Sequence, residues 1–87
     1  MKNNTNVKNE QERVEVMALF GYEMTPCQPL SFKRRGEEQE VEVTEMTGAR
    51  MSFVGKTALH IFDVVAGRER YTLSFNPTDL SWRLVAA

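Results

Sequence analysis

Cysteine and histidine each occur once in these 87 residues, as Cys27 and His60. A single cysteine cannot close an internal disulfide, and one cysteine with one histidine cannot build a Cys-rich zinc module. No apolar run approaches the roughly 20 residues needed to span a bilayer. The opening stretch MKNNTNVKNEQE has no apolar segment of the kind that marks a secretory signal. These absences point to a soluble, cytoplasmic chain. A net charge of −1 gives no bulk attraction for nucleic acid. Acidic residues predominate in 1–46 and basic ones in 47–87, a mild asymmetry that two solvated surfaces account for. A chain this short buries only about 60% of its unfolded surface and seldom keeps more than about 3–5 kcal/mol of stability. Self-association would bury more surface without lengthening the chain.

What the sequence does contain is alternation. In LSFKRRGEEQEVEV, a two-residue loop of Gly36 and Glu37 sets Phe32 opposite Val41 and Leu30 opposite Val43. The other face then pairs Arg35 with Glu38, Lys33 with Glu40 and Ser31 with Glu42, so apolar meets apolar and cation meets anion. Glycine in the first loop position suits a type II′ turn. Nearer the C-terminus, Tyr71, Leu73 and Phe75 alternate with polar residues, as do Leu80, Trp82 and Leu84. Asn76-Pro77-Thr78-Asp79 between them has the composition of a type I turn, which would place Phe75 opposite Leu80. The run TALHIFDVV reads as a central strand. A three-residue loop after it would bury Leu59 and Ile61; a four-residue loop would bury His60, Phe62 and Val64.

Residues 1–12 read as a disordered polar leader and 13–87 as one small β domain. The expected fold is all-β: an antiparallel meander of five or six strands, near 13–20, 29–35, 38–46, 57–65, 69–76 and 80–86, rolled into a small open barrel. Its core would hold Leu30, Phe32, Val41, Val43, Tyr71, Leu73, Phe75, Leu80, Trp82 and Leu84. Thr47–Lys56, with Gly48 and Gly55, reads as a connection in which Met51 and Phe53 could fold over a barrel end. RVEVMALFGYEM fits strand better than helix because Val14, Val16, Ala18 and Phe20 alternate. The alternative is an α+β fold with an N-terminal helix on the sheet. The positions Pro29, Phe32, Gly36, Trp82 and Leu84, within residues 13–86, resemble small bacterial β-sheet domains with a Pro-x-x-Phe-x-x-x-Gly hairpin and a closing Trp-x-Leu strand. That resemblance implies a small β fold and no assigned activity.

Catalytic chemistry finds little support. His60 lies inside an apolar run, where a core histidine is the simpler reading, and a lone histidine needs a partner to act as a base. Cys27 stands between Pro26 and Pro29 with no cation within four residues to stabilise a thiolate. Gly55-Lys56-Thr57 ends like a phosphate loop, but the upstream glycine of that motif would fall at Arg50. No catalytic residue, metal ligand or cofactor is expected. Two surfaces stand out instead. Taking β-strand 13–20 as a sheet edge leaves Met17 and Leu19 as surplus apolar residues, a candidate interface for a second copy or a protein partner. Lys33, Arg35, Arg70 and Arg83 form a candidate face for anions or nucleic acid, although Tyr71, Phe75 and Trp82 point inward and cannot serve as stacking platforms. The expected function is a non-catalytic protein-interaction module, with a small nucleic-acid-binding barrel as the alternative.

Overall fold

The computed structural model describes residues 11–21 and 26–85. They form seven strands: β1 (Gln11–Leu19), β2 (Gln28–Lys33), β3 (Val41–Glu42), β4 (Glu45–Val54), β5 (Thr57–Ala66), β6 (Glu69–Asn76) and β7 (Ser81–Val85). The strands run antiparallel in the order β3-β2-β1-β7-β6-β5-β4, a sheet curled into a half-barrel. The all-β expectation holds, and the helical alternative for the first segment does not. The polar leader at 1–10 lies outside the described residues, while Gln11 and Glu12 belong to β1, opposite Val85 and Leu84.

β1 is not an edge. It pairs with β7 along Gln11–Val14 and with β2 along Glu15–Leu19, so one strand joins two ladders. The last strand returns to the first, which leaves β3 and β4 at the two edges. β3 has only two residues; β4 has ten.

The core sits on one face of the sheet. Val14, Phe32, Phe62, Val64, Ala66, Leu73, Phe75, Trp82, Leu84 and Cys27 are buried, with Val41, Val43 and Tyr71 packed beside them. Phe75 and Trp82 lie opposite each other with ring centroids 4.8 Å apart, and Phe32 meets Tyr71 edge-on at 5.1 Å. A two-residue turn, Gly67–Arg68, closes Ala66 on Glu69. It gives β5 the same parity as a four-residue loop, so Phe62 and Val64 point inward. Two expected core residues are outside. Leu30 is exposed, and Leu80 is 72% exposed.

Leu80 marks a register difference. Asn76 opposes Ser81 and Phe75 opposes Trp82, two residues from the expected alignment. The side chains of the loop account for this. Asn76 Oδ1 accepts the Thr78 N–H at 2.9 Å, and Asp79 Oδ1 accepts the Ser81 N–H at 3.0 Å and its hydroxyl at 2.6 Å. The four-residue turn thereby moves on by one residue to Pro77–Leu80, with Leu80 at φ 61°. A shift of two keeps every side chain on its face, so the rest of the aromatic face stays in the core.

In the first hairpin the register is as expected: Ser31 opposes Glu42 and Phe32 opposes Val41. The tip differs. Glu37 N–H reaches Arg34 O at 3.0 Å, which makes Arg34–Glu37 the turn and places Gly36, at φ 84°, in its third position. That is the glycine position of a type II turn, not type II′. The β2–β3 ladder stops at Phe32, and beyond it Glu12 of β1 holds the chain: Arg34 Nη2 lies 2.8 Å from Glu12 Oε1, and Arg35 N–H donates to Glu12 Oε2 at 3.1 Å. The expected pairings of Lys33 with Glu40 and of Arg35 with Glu38 are therefore absent from the ladder. Glu40 accepts the Ser31 hydroxyl instead, at 2.8 Å. Gly36→Val forces a β-branched residue into positive φ, and urea denaturation should show a loss of about 1–3 kcal/mol. Unchanged stability would mean that this turn does not fix the hairpin.

The stretch expected as a connection at Thr47–Lys56 is most of β4. Its glycines punctuate a strand rather than a loop. Gly48 follows a bulge between Met46 and Gly48 and sits where a Cβ would come within 3.3 Å of Asp63 Oδ2. Gly55, at φ 62°, opens the Gly55–Lys56 turn that closes Val54 on Thr57.

Candidate functional site

The four cations of the expected anion face are dispersed. Arg83 lies beside Arg13 across the β1–β7 ladder, but the field of Arg13 reaches Asp79, whose carboxyl is held low first by the Ser81 hydroxyl. Lys33 opposes Glu15. Arg35 is in the turn anchored by Glu12. Arg70 opposes Val65, four residues along β6 from the neighbour of Arg83, or roughly 13 Å at the strand rise. Lys33 and Arg35 have acidic neighbours, Arg83 and Arg70 stand apart, and the set forms no continuous basic groove.

The chemically reactive side chains are equally unsupported. Cys27 is buried in the core, and burial pushes its thiol pKa up, away from the thiolate form that nucleophilic chemistry needs. His60 is half-buried, tilted against Phe75 at 6.5 Å. Among the described residues, no three His, Cys, Asp or Glu side chains converge.

Two polar contacts brace the fold. The Arg34 hydrogen bond to Glu12 holds that carboxyl below its ordinary range. Its stability contribution is present above the unfolded-state pKa, near 4.5, and is lost as pH falls through the lower folded value. Glu12→Gln should lower stability at neutral pH by about 0.2–1 kcal/mol and flatten the acid limb of the unfolding curve. An acid limb identical to wild type would remove Glu12 from the account. The second contact joins β4 to β5. Burial pulls the Asp63 pKa upward, but its ion pair with Arg50 and the Thr72 hydroxyl at 2.9 Å outweigh that and hold it low.

Met17 and Leu19 are exposed on β1, opposite Ser31 and Gln28 of β2. Along Glu15–Leu19 β1 is paired with β2 on one side, its ladder with β7 having ended at Val14. The Thr47–Lys56 segment, expected to fold over a barrel end, extends as β4 at the far end of the sheet. A second stretch of exposed apolar surface lies on β4 itself. Ala49 opposes Phe62, Met51 opposes His60 and Phe53 opposes Ala58; directly opposed residues share a face, so these three continue the core face beyond the core. Met51 is 55% exposed and Phe53 67%. Val54, on the other face, is exposed as well.

The backbone of β4 is also open. Its β5 side is paired from Glu45 to Val54; among the described residues no strand lies on the other side. A two-residue turn closes on a hydrogen-bonded pair, here Val54 and Thr57. Alternation in an antiparallel ladder then directs the N–H and C=O of Arg50 and Ser52 to β5, and those of Ala49, Met51 and Phe53 outward. The residues with free backbone groups are thus the ones that carry apolar side chains on the core face. The signal was present in the sequence. A glycine between apolar alternations marks a hairpin at Gly55 as it does at Gly36.

Comparison with known protein families, with curated proteins and with solved structures finds no match. No helix among the described residues is long and apolar enough to cross a membrane.

Proposed function

We propose that this chain is a non-catalytic interaction module that takes up another polypeptide strand along β4. One observation carries the reading: a ten-residue edge strand combines an outward-facing backbone at Ala49, Met51 and Phe53 with exposed apolar side chains at the same positions. Soluble proteins usually blunt such edges with short strands, proline, inward-pointing charge or a covering segment. β3 follows the rule, with two residues ending in Glu42. β4 carries no proline, and its one cation within Gly48–Val54, Arg50, is paired with Asp63 on its own sheet. Strand addition draws affinity from main-chain hydrogen bonds and selectivity from alternate side chains, and β4 supplies both.

The test uses a labelled synthetic peptide spanning residues 45–56 as the probe strand, with the full chain diluted until it is monomeric. Fluorescence anisotropy should rise on titration with the chain. It should not rise with Met51→Pro, which removes an outward N–H without disturbing the bonds to β5. Equal binding to both chains, or to neither, would overturn the reading.

A further inference from the structure

We infer that the strand seated on β4 is β4 of a second copy, paired antiparallel about a two-fold axis at Met51. This rests on the strand-addition reading and names its partner. The regular part of β4 runs from Gly48, just past the bulge, to Val54, just before the turn, and its midpoint is Met51. A perpendicular two-fold axis keeps the two core faces on the same side, so a residue can oppose only one of like parity. Centring on Met51 uses the whole regular segment and brings every outward-facing residue opposite another: Met51 meets its own copy, and Ala49 meets Phe53 of the other chain. Each of these pairs both donates and accepts across the junction.

The side chains fit the same alignment. Large residues meet small ones, Phe53 over Ala49 and Val54 over Gly48. Arg50 falls opposite Ser52, and its charge is already met by Asp63 within its own chain. Moving the axis one residue towards the N-terminus would set Arg50 against Arg50, a direct like-charge opposition. Moving it one residue towards the C-terminus carries Ala49 past the end of the strand to the Gly55 turn. The ends of β4 also complement each other: antiparallel pairing brings Lys56, beyond one end, towards Glu45 at the start of the other copy. An interface limited to one strand edge falls below the roughly 1,200 Å² of a standard stable complex, so the dimer should be reversible, its population rising with concentration.

Single cysteines in a Cys27→Ala background test the axis, with sedimentation of the wild-type chain alongside. Opposed residues of a hydrogen-bonded pair have Cα atoms about 5.5 Å apart, within disulfide range. Met51→Cys should therefore form a covalent dimer under mild oxidation. Phe53→Cys should not, because its own copy lies roughly 13 Å away along the strand, whereas Phe53→Cys combined with Ala49→Cys should link again. All these positions are exposed or at the edge, and melting curves close to that of the Cys27→Ala parent confirm that each variant is folded. A wild-type chain that stays monomeric up to millimolar concentration overturns the inference, as does Phe53→Cys linking as readily as Met51→Cys. A chain that binds the β4 peptide yet never dimerises keeps the strand-addition reading and discards self-pairing. A chain that does neither discards both.

Discussion

Phe62→Ala is expected to leave the domain largely unfolded. Phe62 is 1% exposed, opposes the fully buried Leu73 and packs on Trp82 with ring centroids 5.8 Å apart. Truncating a buried phenylalanine costs about 3–5 kcal/mol, the lost transfer energy plus the cavity left behind. A domain of this size holds about the same total. The contrasting variant is Phe53→Ala, on the same face but 67% exposed, which should change stability by no more than about 0.5 kcal/mol. Circular dichroism melting of the two, at concentrations that keep the chain monomeric, reads the boundary between core and uncovered face. A cooperative melt of Phe62→Ala near the wild-type temperature would mean that β5 packs by its other face, through Leu59 and Ile61.

Met51→Lys has the second large effect, on assembly rather than folding. Two lysines placed opposite each other across the proposed axis repel at close range, and juxtaposed like charges at an interface cost several kcal/mol. Since about 1.4 kcal/mol is tenfold in affinity, dimerisation should weaken at least about a hundredfold. The exposed position leaves the monomer melt nearly unchanged. Met17→Glu with Leu19→Lys, on β1, should leave the dimer intact. If sedimentation gives the reverse pattern, with the β1 pair abolishing the dimer and Met51→Lys sparing it, the interface lies on β1.

Much of the architecture was legible because two-residue periodicity is insensitive to errors of two. The aromatic face of β6 and β7 is legible although the cross-strand pairing differs by two residues, since Phe75, Leu73, Trp82 and Leu84 keep their parity. The first hairpin register followed from matching Phe32 with Val41 and Ser31 with Glu42. What local patterns could not show were contacts made at long sequence distance. Glu12 lies more than twenty residues before Arg34, and nothing near the hairpin announces that it will reshape the tip. The Asx contacts of Asn76 and Asp79 shift their turn by one residue in a way that the Asn-Pro signal alone does not specify. The placement of β1 is non-local as well: only its pairing with β7 removes it from the edge.

The surface was less legible than the core. Exposed apolar residues carry meaning only once the edges are known, and reading Thr47–Lys56 as a connection hid the long edge strand β4. Glycines at 48 and 55 read as loop residues because a bulge and a tight turn use the same residue type as a flexible connection. Met51 and Phe53 were singled out as apolar residues needing a place. The structure puts them on an open ladder.

The most direct measurement of this account is residue-resolved amide hydrogen exchange along β4 across a dilution series. In dilute solution Arg50, Ser52 and Val54, bonded to β5, should exchange slowly, and Ala49, Met51 and Phe53 should exchange fast. Raising the concentration should slow those three in parallel with the dimer population seen by sedimentation. Protection of Ala49, Met51 and Phe53 at every dilution would mean that the edge is covered within one chain, and fast exchange at every concentration would mean that no second copy pairs there; either result contradicts the account.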